Sequence, residues 1–509
     1  MKILNLFFVL SFFALLSLPA CKDNDPTPDP DPIVENPNKY VNDWIYEQMN
    51  IYYLWNTKIP KSPDYKLTPD KFFTSLLSTY NATSNPDGDR FSWIQENYVD
   101  LLNSLGGVVS HDIGFEYVRV KLSDSSPVQY YLLVLYPKLG SDAQAKGIEK
   151  GRWVVAIDGQ DITESNFKTL TGGTGTKSLK MADWIFDSTS NEYKLTLSGD
   201  VSVQMHENFA EIPVYMDSVY TTPNNTKVGY LVYNFFARDK GDGTHYYDKL
   251  LMNTLSDLQA KGATELILDL RYNGGGALST ATALASALVP ERTTDKIFLT
   301  VNYNSLVQGE YIKMYGSDFN KTTFIDQITS EGFKIADVPK LNLPRLYILV
   351  SNWTASASEM IINGLKPYMD VILIGETTVG KNVGSVSLYE ENDAKNKWGM
   401  QPIIAKYYNS LNQSDFTSGF IPNYEVDELE DLRIVPFGDT NDVMLNKALT
   451  VIGGSFNPVL SRSPRTNMAN KMQKVANSSS ILEKPGRNVL NDDVRGEEIR
   501  DLMNRYNNQ

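Results

Sequence analysis

The chain has 509 residues, of which 42% are hydrophobic and 21% charged, a composition typical of a globular protein of about three domains. Its 61 acidic and 47 basic residues give a formal net charge of −14, which argues against a nucleic-acid partner because phosphate attracts a positive surface. One cysteine and three histidines exclude a disulfide scaffold and zinc sites of the Cys₂His₂ or Cys₄ type.

Residues 1–20 have the pattern of an export signal. Lys2 precedes an apolar run over residues 3–18 that is too short for a comfortable membrane span. The run ends in Leu18-Pro19-Ala20-Cys21, which resembles the lipobox of bacterial lipoproteins. This resemblance implies that Cys21 carries a lipid anchor, whereas the alternative is a plain signal peptide with an incidental cysteine. We therefore expect a protein of the Gram-negative cell envelope, anchored on the periplasmic face or the outer surface of the outer membrane.

The next two segments predict a spacer and a small helical domain. Residues 21–38 are acidic and rich in proline, which predicts an extended tether. Residues 39–105 carry apolar and aromatic side chains at helical spacing, such as Trp44, Ile45 and Met49, and we expect a helical N-terminal domain there.

The rest of the chain predicts a multidomain α/β (α+β) protein. Residues 106–206 contain short β-type runs separated by Gly and Asp turns, which indicate a β-rich domain. Over residues 207–455, apolar strands alternate with helices, the pattern of an α/β core with a buried sheet. Residues 456–509 are poor in apolar side chains and predict a flexible tail with one short helix near 497–506.

Two segments at strand ends could carry chemistry. Asp269–Gly276, with the sequence DLRYNGGG, ends in three glycines that let the backbone approach a ligand, although a tight turn explains it as well. The segment 354–359, TASASE, places Ser356 at the start of a helix, where unpaired N–H groups supply positive potential. Here the alternative is a capping box, in which Ser356 caps the helix and Glu359 reaches back.

Residues 375–382, GETTVGKN, nearly match a phosphate-binding loop. Asn382 stands where the motif needs a hydroxyl, and the following residues alternate like a strand instead of opening a helix. We therefore disfavour nucleotide binding.

The three histidines are His111, His206 and His245, and they lie in unrelated contexts. A Ser-His-Asp triad is consequently unattractive, whereas Ser356 with Lys381 as its base needs no histidine.

Taken together, these segments resemble the C-terminal (tail-specific) processing proteases of peptidase family S41. The resemblance covers residues 40–455 and rests on the order of DLRYNGGG, TASASE and GETTVGK. It implies an α/β protease core in which Ser356 is the nucleophile and Lys381 its general base, with no metal or organic cofactor. It further implies an oxyanion hole formed by the Ala357 N–H and the N–H of one glycine in the run 274–276, for which we choose Gly275. Glu359 and Thr378 match supporting positions.

One position departs from the family pattern. Some members have Gln four residues after the lysine, where this chain has Ser385, so we expect a different partner to orient the Lys381 amine.

The segment 106–206 resembles a PDZ domain. Its Asp112-Ile113-Gly114-Phe115 sequence looks like the carboxylate-binding loop, which implies that Ile113, Gly114 and Phe115 contact the C-terminus of a peptide added as a strand. The expected partners are therefore polypeptides that are unfolded or carry free apolar C-termini. The alternative is a β-rich spacer with chance glycines.

The resulting hypothesis is a lipid-anchored serine endopeptidase with a Ser-Lys dyad. The alternative function is a catalytically silent peptide-binding lipoprotein that uses the same PDZ-like domain and cleft.

Overall fold

A computed structural model describes residues 36–122, 128–454, 472–481 and 490–491. The predicted signal peptide, Cys21 and most of the tether lie outside these residues. Among the helices in the described ranges, none combines the length and the apolar character that a membrane crossing needs.

The helices of the described residues are mostly short. In chain order they are α1 (Lys39–Tyr52), α2 (Pro69–Leu76), α3 (Tyr98–Leu105), α4 (Asp142–Ala145), α5 (Phe167–Thr171), α6 (Tyr246–Ala260), α7 (Leu278–Leu288), α8 (Ser305–Tyr315), α9 (Ala357–Leu365) and α10 (Val443–Gly453).

Strands occur throughout the described residues after α2. Those before residue 211 are β1 (Trp93–Gln95), β2 (Val108–Asp112), β3 (Phe115–Leu122), β4 (Tyr130–Pro137), β5 (Trp153–Ile157), β6 (Gln160–Asp161), β7 (Thr176–Asp187), β8 (Glu192–Gln204) and β9 (His206–Ala210). The later ones are β10 (Val214–Thr221), β11 (Lys227–Tyr233), β12 (Glu265–Asp269), β13 (Gly276–Ala277), β14 (Ile297–Tyr303), β15 (Lys321–Thr323), β16 (Gln327–Ser330), β17 (Phe333–Asp337), β18 (Arg345–Val350), β19 (Asp370–Gly375), β20 (Val383–Ser385), β21 (Leu388–Tyr389), β22 (Gly399–Gln401), β23 (Ile403–Asn409), β24 (Tyr424–Glu425), β25 (Met472–Ser479) and β26 (Leu490–Asn491).

The N-terminal helices pack onto the α/β core. Apolar residues of α1 recur at helical spacing and are buried in the largest hydrophobic cluster, which also contains residues of α6, α7 and α9. Asn304, which caps α8, donates from Nδ2 to the carbonyls of Ile51 and Tyr53 at 2.8 and 3.0 Å. These bonds tie the end of α1 to the core.

A seven-stranded antiparallel sheet forms the β-rich part of the chain. Its strand order is β25-β3-β4-β5-β7-β8, with β6 paired to β5. Apolar residues of β3, β4, β5 and β7 pack with α4 and α5 in a separate hydrophobic cluster.

The central sheet of the α/β core positions the candidate site. Its order is β10-β11-β12-β18-β19-β24, and all pairs except β10–β11 are parallel. Alternate residues of these strands enter two clusters, one with α6, α7 and α9 and the other with α10. The sheet is therefore covered on both faces, as expected for parallel strands, and the predicted mixed α/β class is confirmed.

The prediction of a flexible tail over residues 456–509 is wrong for part of that range. Residues 472–479 form β25 on the edge of β3, and residues 490–491 form β26 in a second six-stranded sheet of order β13-β26-β20-β23-β14-β15. Composition missed these strands because their pairing uses backbone groups, which every sequence carries. The helix predicted near 497–506 lies outside the described residues.

Candidate active site

Three loops meet at the carboxyl edge of the central sheet. The glycine turn follows β12, the segment containing Ser356 follows β18, and the segment containing Lys381 follows β19. Because β12, β18 and β19 are parallel neighbours, their carboxyl ends share one edge, where open α/β sheets hold their ligands.

Ser356 has a strained backbone at the start of α9. Its φ of 61° and ψ of −115° lie where residues with a side chain rarely occur, at a cost of about 1–3 kcal/mol. The turn is held from both sides: the Ser356 N–H donates to Glu359 Oε2 at 2.9 Å, and the Ala355 N–H donates to the Asn273 carbonyl at 3.2 Å. Such strain persists only where the surroundings impose it, and it concentrates at functional sites.

The Ser356 hydroxyl is buried at the start of α9, in a capping-box arrangement with Glu359. The residue is fully buried, and Oγ has no hydrogen-bond partner among the described residues. Both halves of the predicted capping box are nevertheless in place, since Oγ faces the Glu359 N–H and the Glu359 carboxylate accepts from the Ser356 N–H. The contact between Oγ and the Glu359 N–H falls short of a well-formed hydrogen bond. A buried hydroxyl without a partner costs stability, so capping alone does not account for this side chain.

Glu359 joins the serine turn to the lysine segment. Its carboxylate is fully buried and accepts four hydrogen bonds, from the Ser356 N–H, the Thr378 hydroxyl, the Gly380 N–H and the Lys381 N–H, at 2.6–2.9 Å. Burial raises the pKa of this carboxyl, while the four donors favour its ionised form. One side chain thus fixes the backbone on both sides of the site.

Further bonds hold the same two segments together. The Val379 N–H donates to the Thr354 carbonyl at 3.0 Å, two residues before Ser356. The Thr378 hydroxyl also accepts from the Phe420 N–H at 2.8 Å, so its predicted supporting position coincides with a buried hydrogen-bond junction.

The Lys381 side chain is fully buried, and its pKa is lowered from 10.5 to about 7. Burial is the main cause, and the charges of Asp89 and Glu359 oppose it. A lysine amine with this pKa loses its proton in part of the molecules at neutral pH and can then act as a base.

A segment of the N-terminal region, residues 89–92, forms the wall beside Lys381. The Phe91 ring centroid lies 4.9 Å from Lys381 Nζ. Arg90 donates from Nη2 to the carbonyls of Gly380 and Thr417, each at 3.0 Å. Sequence reasoning missed this wall, since about 290 positions separate it from Lys381 and no short motif links the two.

Asn273 organises the glycine turn. Its Nδ2 donates to the Tyr233 carbonyl at 2.9 Å, and its own carbonyl accepts from the Ala355 N–H and the Ser358 hydroxyl. This asparagine lies within the DLRYNGGG motif, but the motif alone did not assign it a role.

The predicted oxyanion donors behave differently from each other. The Ala357 N–H is at the first position of α9, where no intrahelical acceptor exists, and no hydrogen bond from it to another described residue is formed. The Gly275 N–H instead donates to Asn273 Oδ1 at 2.9 Å, within its own turn, and its role as an oxyanion donor stays a prediction. The adjacent Gly274 N–H makes no hydrogen bond within the described part of the chain.

The segment after Lys381 is a strand, which places Ser385 and bears on the nucleotide-binding alternative. Ser385 is buried in β20, where it pairs with Ile403 and Asn491. Because residues 383–385 form a strand and no helix begins there, the segment 375–382 lacks the helix N-terminus that a phosphate-binding loop needs.

The predicted peptide-binding loop lies apart from these three segments, before β3. Ile113 and Phe115 are buried in the hydrophobic cluster of the seven-stranded sheet. The Gly114 N–H donates to Asp112 Oδ1 at 2.7 Å, so this donor already has a carboxylate partner within the chain. The PDZ-like assignment stays a prediction.

The histidines have local roles. His245 Nδ1 lies 3.0 Å from Asp248 Oδ2 in the interior, and His206 Nε2 accepts from the Asp142 N–H at 2.8 Å.

Comparison with known proteins gives a family assignment. Residues 227–426 match the model of peptidase family S41, and residues 40–93 match that of the peptidase S41 N-terminal domain. The chain carries the domains of peptidase family S41. Both the resemblance stated from the motifs and the predicted α/β protease core are thereby confirmed.

Individual relatives agree with this assignment. A carboxyl-terminal-processing protease of Picosynechococcus is 25% identical over 391 residues, which are 76% of this chain and 83% of the relative. A carboxy-terminal processing protease of Bacillus subtilis is 24% identical over 314 residues, or 61% of this chain and 56% of that protein. The crystal structure of a Bacteroides fragilis protein assigned to the S41 proteases is 28% identical, with a TM-score of 0.66 over 80% of this chain and 96% of that one. These relatives support a peptidase function.

Proposed function

We propose that this S41 chain is a serine endopeptidase in which Ser356 is the nucleophile and Lys381 the general base. The observation that carries the proposal is the Glu359 junction, which binds the backbone of a strained, buried serine and that of a buried lysine whose pKa is about 7. A nucleophile and a base fixed in this way are what covalent catalysis requires.

The reaction follows from these groups. Neutral Lys381 takes the proton of Ser356 Oγ, which forms a bond to the peptide carbonyl carbon. The Lys381 ammonium then gives that proton to the leaving amine as the C–N bond breaks. Water, deprotonated by the same amine, then attacks the acyl carbon, and the ammonium returns the proton to Ser356 Oγ as the ester C–O bond breaks.

The N–H groups of Ala357 and Gly274 are the proposed oxyanion donors, since both lack other acceptors among the described residues. Loss of one such donor typically costs about 3 kcal/mol of transition-state stabilisation.

The proposed substrates are polypeptides, recognised through a PDZ-like site at residues 112–115 and β3. The sequence of residues 18–21 supports a lipid anchor at Cys21 and a place in the Gram-negative envelope, on either the periplasmic or the outer face of the outer membrane.

Digestion of unfolded casein tests the proposal and separates it from silent peptide binding. We expect Ser356→Ala and Lys381→Arg each to abolish cleavage in folded protein, because the guanidinium group cannot release a proton near neutral pH. The double variant should be no worse than either single one. The matched control is Ser358→Ala in the same helical turn, which removes only a hydrogen bond to the Asn273 carbonyl and should retain substantial activity.

If Ser356 were only a helix cap, Ser356→Ala would lose about 1 kcal/mol of stability and lose activity only in proportion to unfolding. A folded Ser356→Ala protein that still cleaves casein would therefore contradict the proposal.

A further inference from the structure

The C-terminal segment of the chain lies on the edge of β3. The backbone of β25 pairs antiparallel with β3, Met472 opposite Leu122 and Gln473 opposite Lys121, and the register shifts before Ser479 pairs with Val118. An added antiparallel strand on a sheet edge is the way such domains receive extended peptides. The segment runs toward the start of β3, where the predicted peptide-binding loop 112–115 lies.

Ser480 anchors this strand near that loop. Its N–H donates to the Tyr117 carbonyl at 2.9 Å, and its Oγ accepts from the Tyr117 N–H at 2.8 Å. The hydroxyl also donates to the buried Glu116 carboxylate. The backbone groups of β3 that a peptide would use here are therefore satisfied by the chain itself.

The same segment returns at the candidate active site. The backbone of β26 runs parallel to both of its neighbours, with Leu490 opposite Gly276, and Asn491 opposite Ala277 and Ser385. One neighbour, β13, directly follows the glycine turn, and the other, β20, begins two residues after Lys381. A strand between them occupies backbone positions that border both parts of the candidate site.

We infer that residues 472–481 and 490–491 occupy, from within the chain, the surface that binds extended polypeptide substrates. This surface consists of the β3 edge and the gap between β13 and β20. The inference rests on the proposed peptidase function, and it adds that the segment must leave before a substrate strand can enter.

We expect the C-terminal segment and a substrate strand to compete, because both would pair with the backbone of β3. Strand addition uses backbone N–H and C=O groups, so a substrate strand and residues 472–480 compete for the same partners whatever their side chains. A segment on the same chain acts at a high effective concentration, which reaches the millimolar range for short flexible links. An incoming substrate must therefore displace a segment of the same chain that is always present at the site.

A disulfide lock tests the inference in the full chain. Lys121 and Gln473 are paired across β3 and β25, and directly paired strand positions have a separation that suits a disulfide. In a Cys21→Ala background, which removes the only native cysteine, we would introduce Lys121→Cys and Gln473→Cys together. Casein cleavage by the same preparation is then compared before and after reduction.

We expect the oxidised protein to cleave at least about tenfold more slowly than the reduced protein, because the lock keeps the segment on β3. The control, Gln473→Cys alone, should give the same rate with and without reductant. Equal, measurable rates for the locked and reduced double variant would overturn the inference while leaving the peptidase function intact. Failure of the two thiols to form a disulfide would contradict the strand pairing itself.

Failure of the proposed function gives a different result. In that case either neither form cleaves casein, or the cleavage by the parent Cys21→Ala protein is unaffected by Ser356→Ala. A synthetic peptide with the sequence of residues 472–491 provides a second measurement, since it should inhibit the reduced double variant and have no effect on the oxidised form.

Discussion

The decisive interaction at the scale of single residues is the burial of the Lys381 amine. Burial lowers the pKa of the lysine, while the charges of Asp89 and Glu359 raise it. The Phe91 ring, whose centroid lies 4.9 Å from Nζ, is part of the wall that buries the amine. The balance leaves a pKa of about 7, so the base is available under neutral conditions.

The activity should therefore rise with pH through an apparent pKa of about 7, as the Lys381 amine loses its proton. Phe91→Ala admits water and weakens desolvation, so we expect the pKa to increase and the rise of kcat/KM to move to higher pH. Phe91→Leu keeps an apolar wall and is the matched control, with a smaller shift. The measurement is kcat/KM for a peptide between pH 5 and 10.

Asp89→Asn should move the same profile in the opposite direction. Asp89 stabilises the ammonium form, so removal of its charge lowers the lysine pKa and extends activity to lower pH. Its hydrogen bonds from the Phe91 and Ser92 N–H groups can be kept by the asparagine oxygen. A profile unchanged in both Phe91→Ala and Asp89→Asn would show that Lys381 does not control the rate.

The resemblance to family S41 pointed to Ser356, Lys381, Glu359 and Thr378, because these residues lie in two short motif segments that follow neighbouring strands. It could not predict Phe91, whose contact with Lys381 depends on how the N-terminal region packs on the core. It also could not predict that the Gly275 N–H donates to Asn273 Oδ1, since the direction of an N–H group depends on the turn and on the Asn273 side chain.

At the scale of secondary-structure elements, Glu359 couples α9 to the segment between β19 and β20. Its two oxygens each accept two hydrogen bonds, and three of the four donors are backbone N–H groups. The carboxylate thus links the two elements by hydrogen bonds, as paired backbone links two strands. It also holds Ser356 in its strained backbone conformation.

Glu359→Gln should lower the free energy of unfolding by about 3 kcal/mol. The side-chain NH₂ of glutamine would replace one carboxylate oxygen, so the two groups that now donate to that oxygen would lose their acceptor. Activity should fall by a larger factor than the unfolded fraction explains, since both Ser356 and Lys381 lose their backbone anchor. Thr378→Ser is the control: it keeps the hydroxyl that donates to Glu359, so it should stay near wild type. Denaturant unfolding and casein cleavage measure the two effects, and a Glu359→Gln protein as stable as wild type would contradict this role.

The element pattern was predictable where apolar periodicity is strong, as in α1, β12 and β18. It was not predictable for β25 and β26, whose segments have the composition of a tail and whose pairing depends on distant edges of the fold. Backbone pairing of this kind leaves little trace in composition.

At the scale of the whole molecule, a buried ionic cluster connects the β-rich sheet to the α/β core. Arg271, in the turn after β12, contacts Asp269, Glu428 and Asp442, and Lys150 contacts Glu428. Burial alone would raise the pKa of Glu428, but the charges of Lys150 and Arg271 outweigh it and hold the pKa of this carboxyl below its usual value. Because Lys150 precedes β5 of the seven-stranded sheet, these contacts link the candidate peptide-binding sheet to the strand that leads to the glycine turn.

The proposed lipid anchor is the other property of the whole molecule that can be tested simply. Cys21→Ala removes the thiol that would carry the lipid, so we expect the variant to leave the membrane fraction while keeping peptidase activity on soluble casein. Fractionation of cells and immunoblotting measure this. A variant that stays with membranes as firmly as wild type would show that Cys21 is not the anchor.

The central claim, that Lys381 activates Ser356, is tested most directly by covalent labelling with a fluorophosphonate, which bonds to an activated serine oxygen as fluoride leaves. Intact-mass measurement and peptide mapping locate the adduct in wild type, Lys381→Arg and Ser356→Ala. We expect one adduct, on Ser356, formed at a rate that rises with pH through about 7, and essentially none in either folded variant. Labelling of Lys381→Arg at the wild-type rate, or an adduct that persists in Ser356→Ala, would contradict the claim.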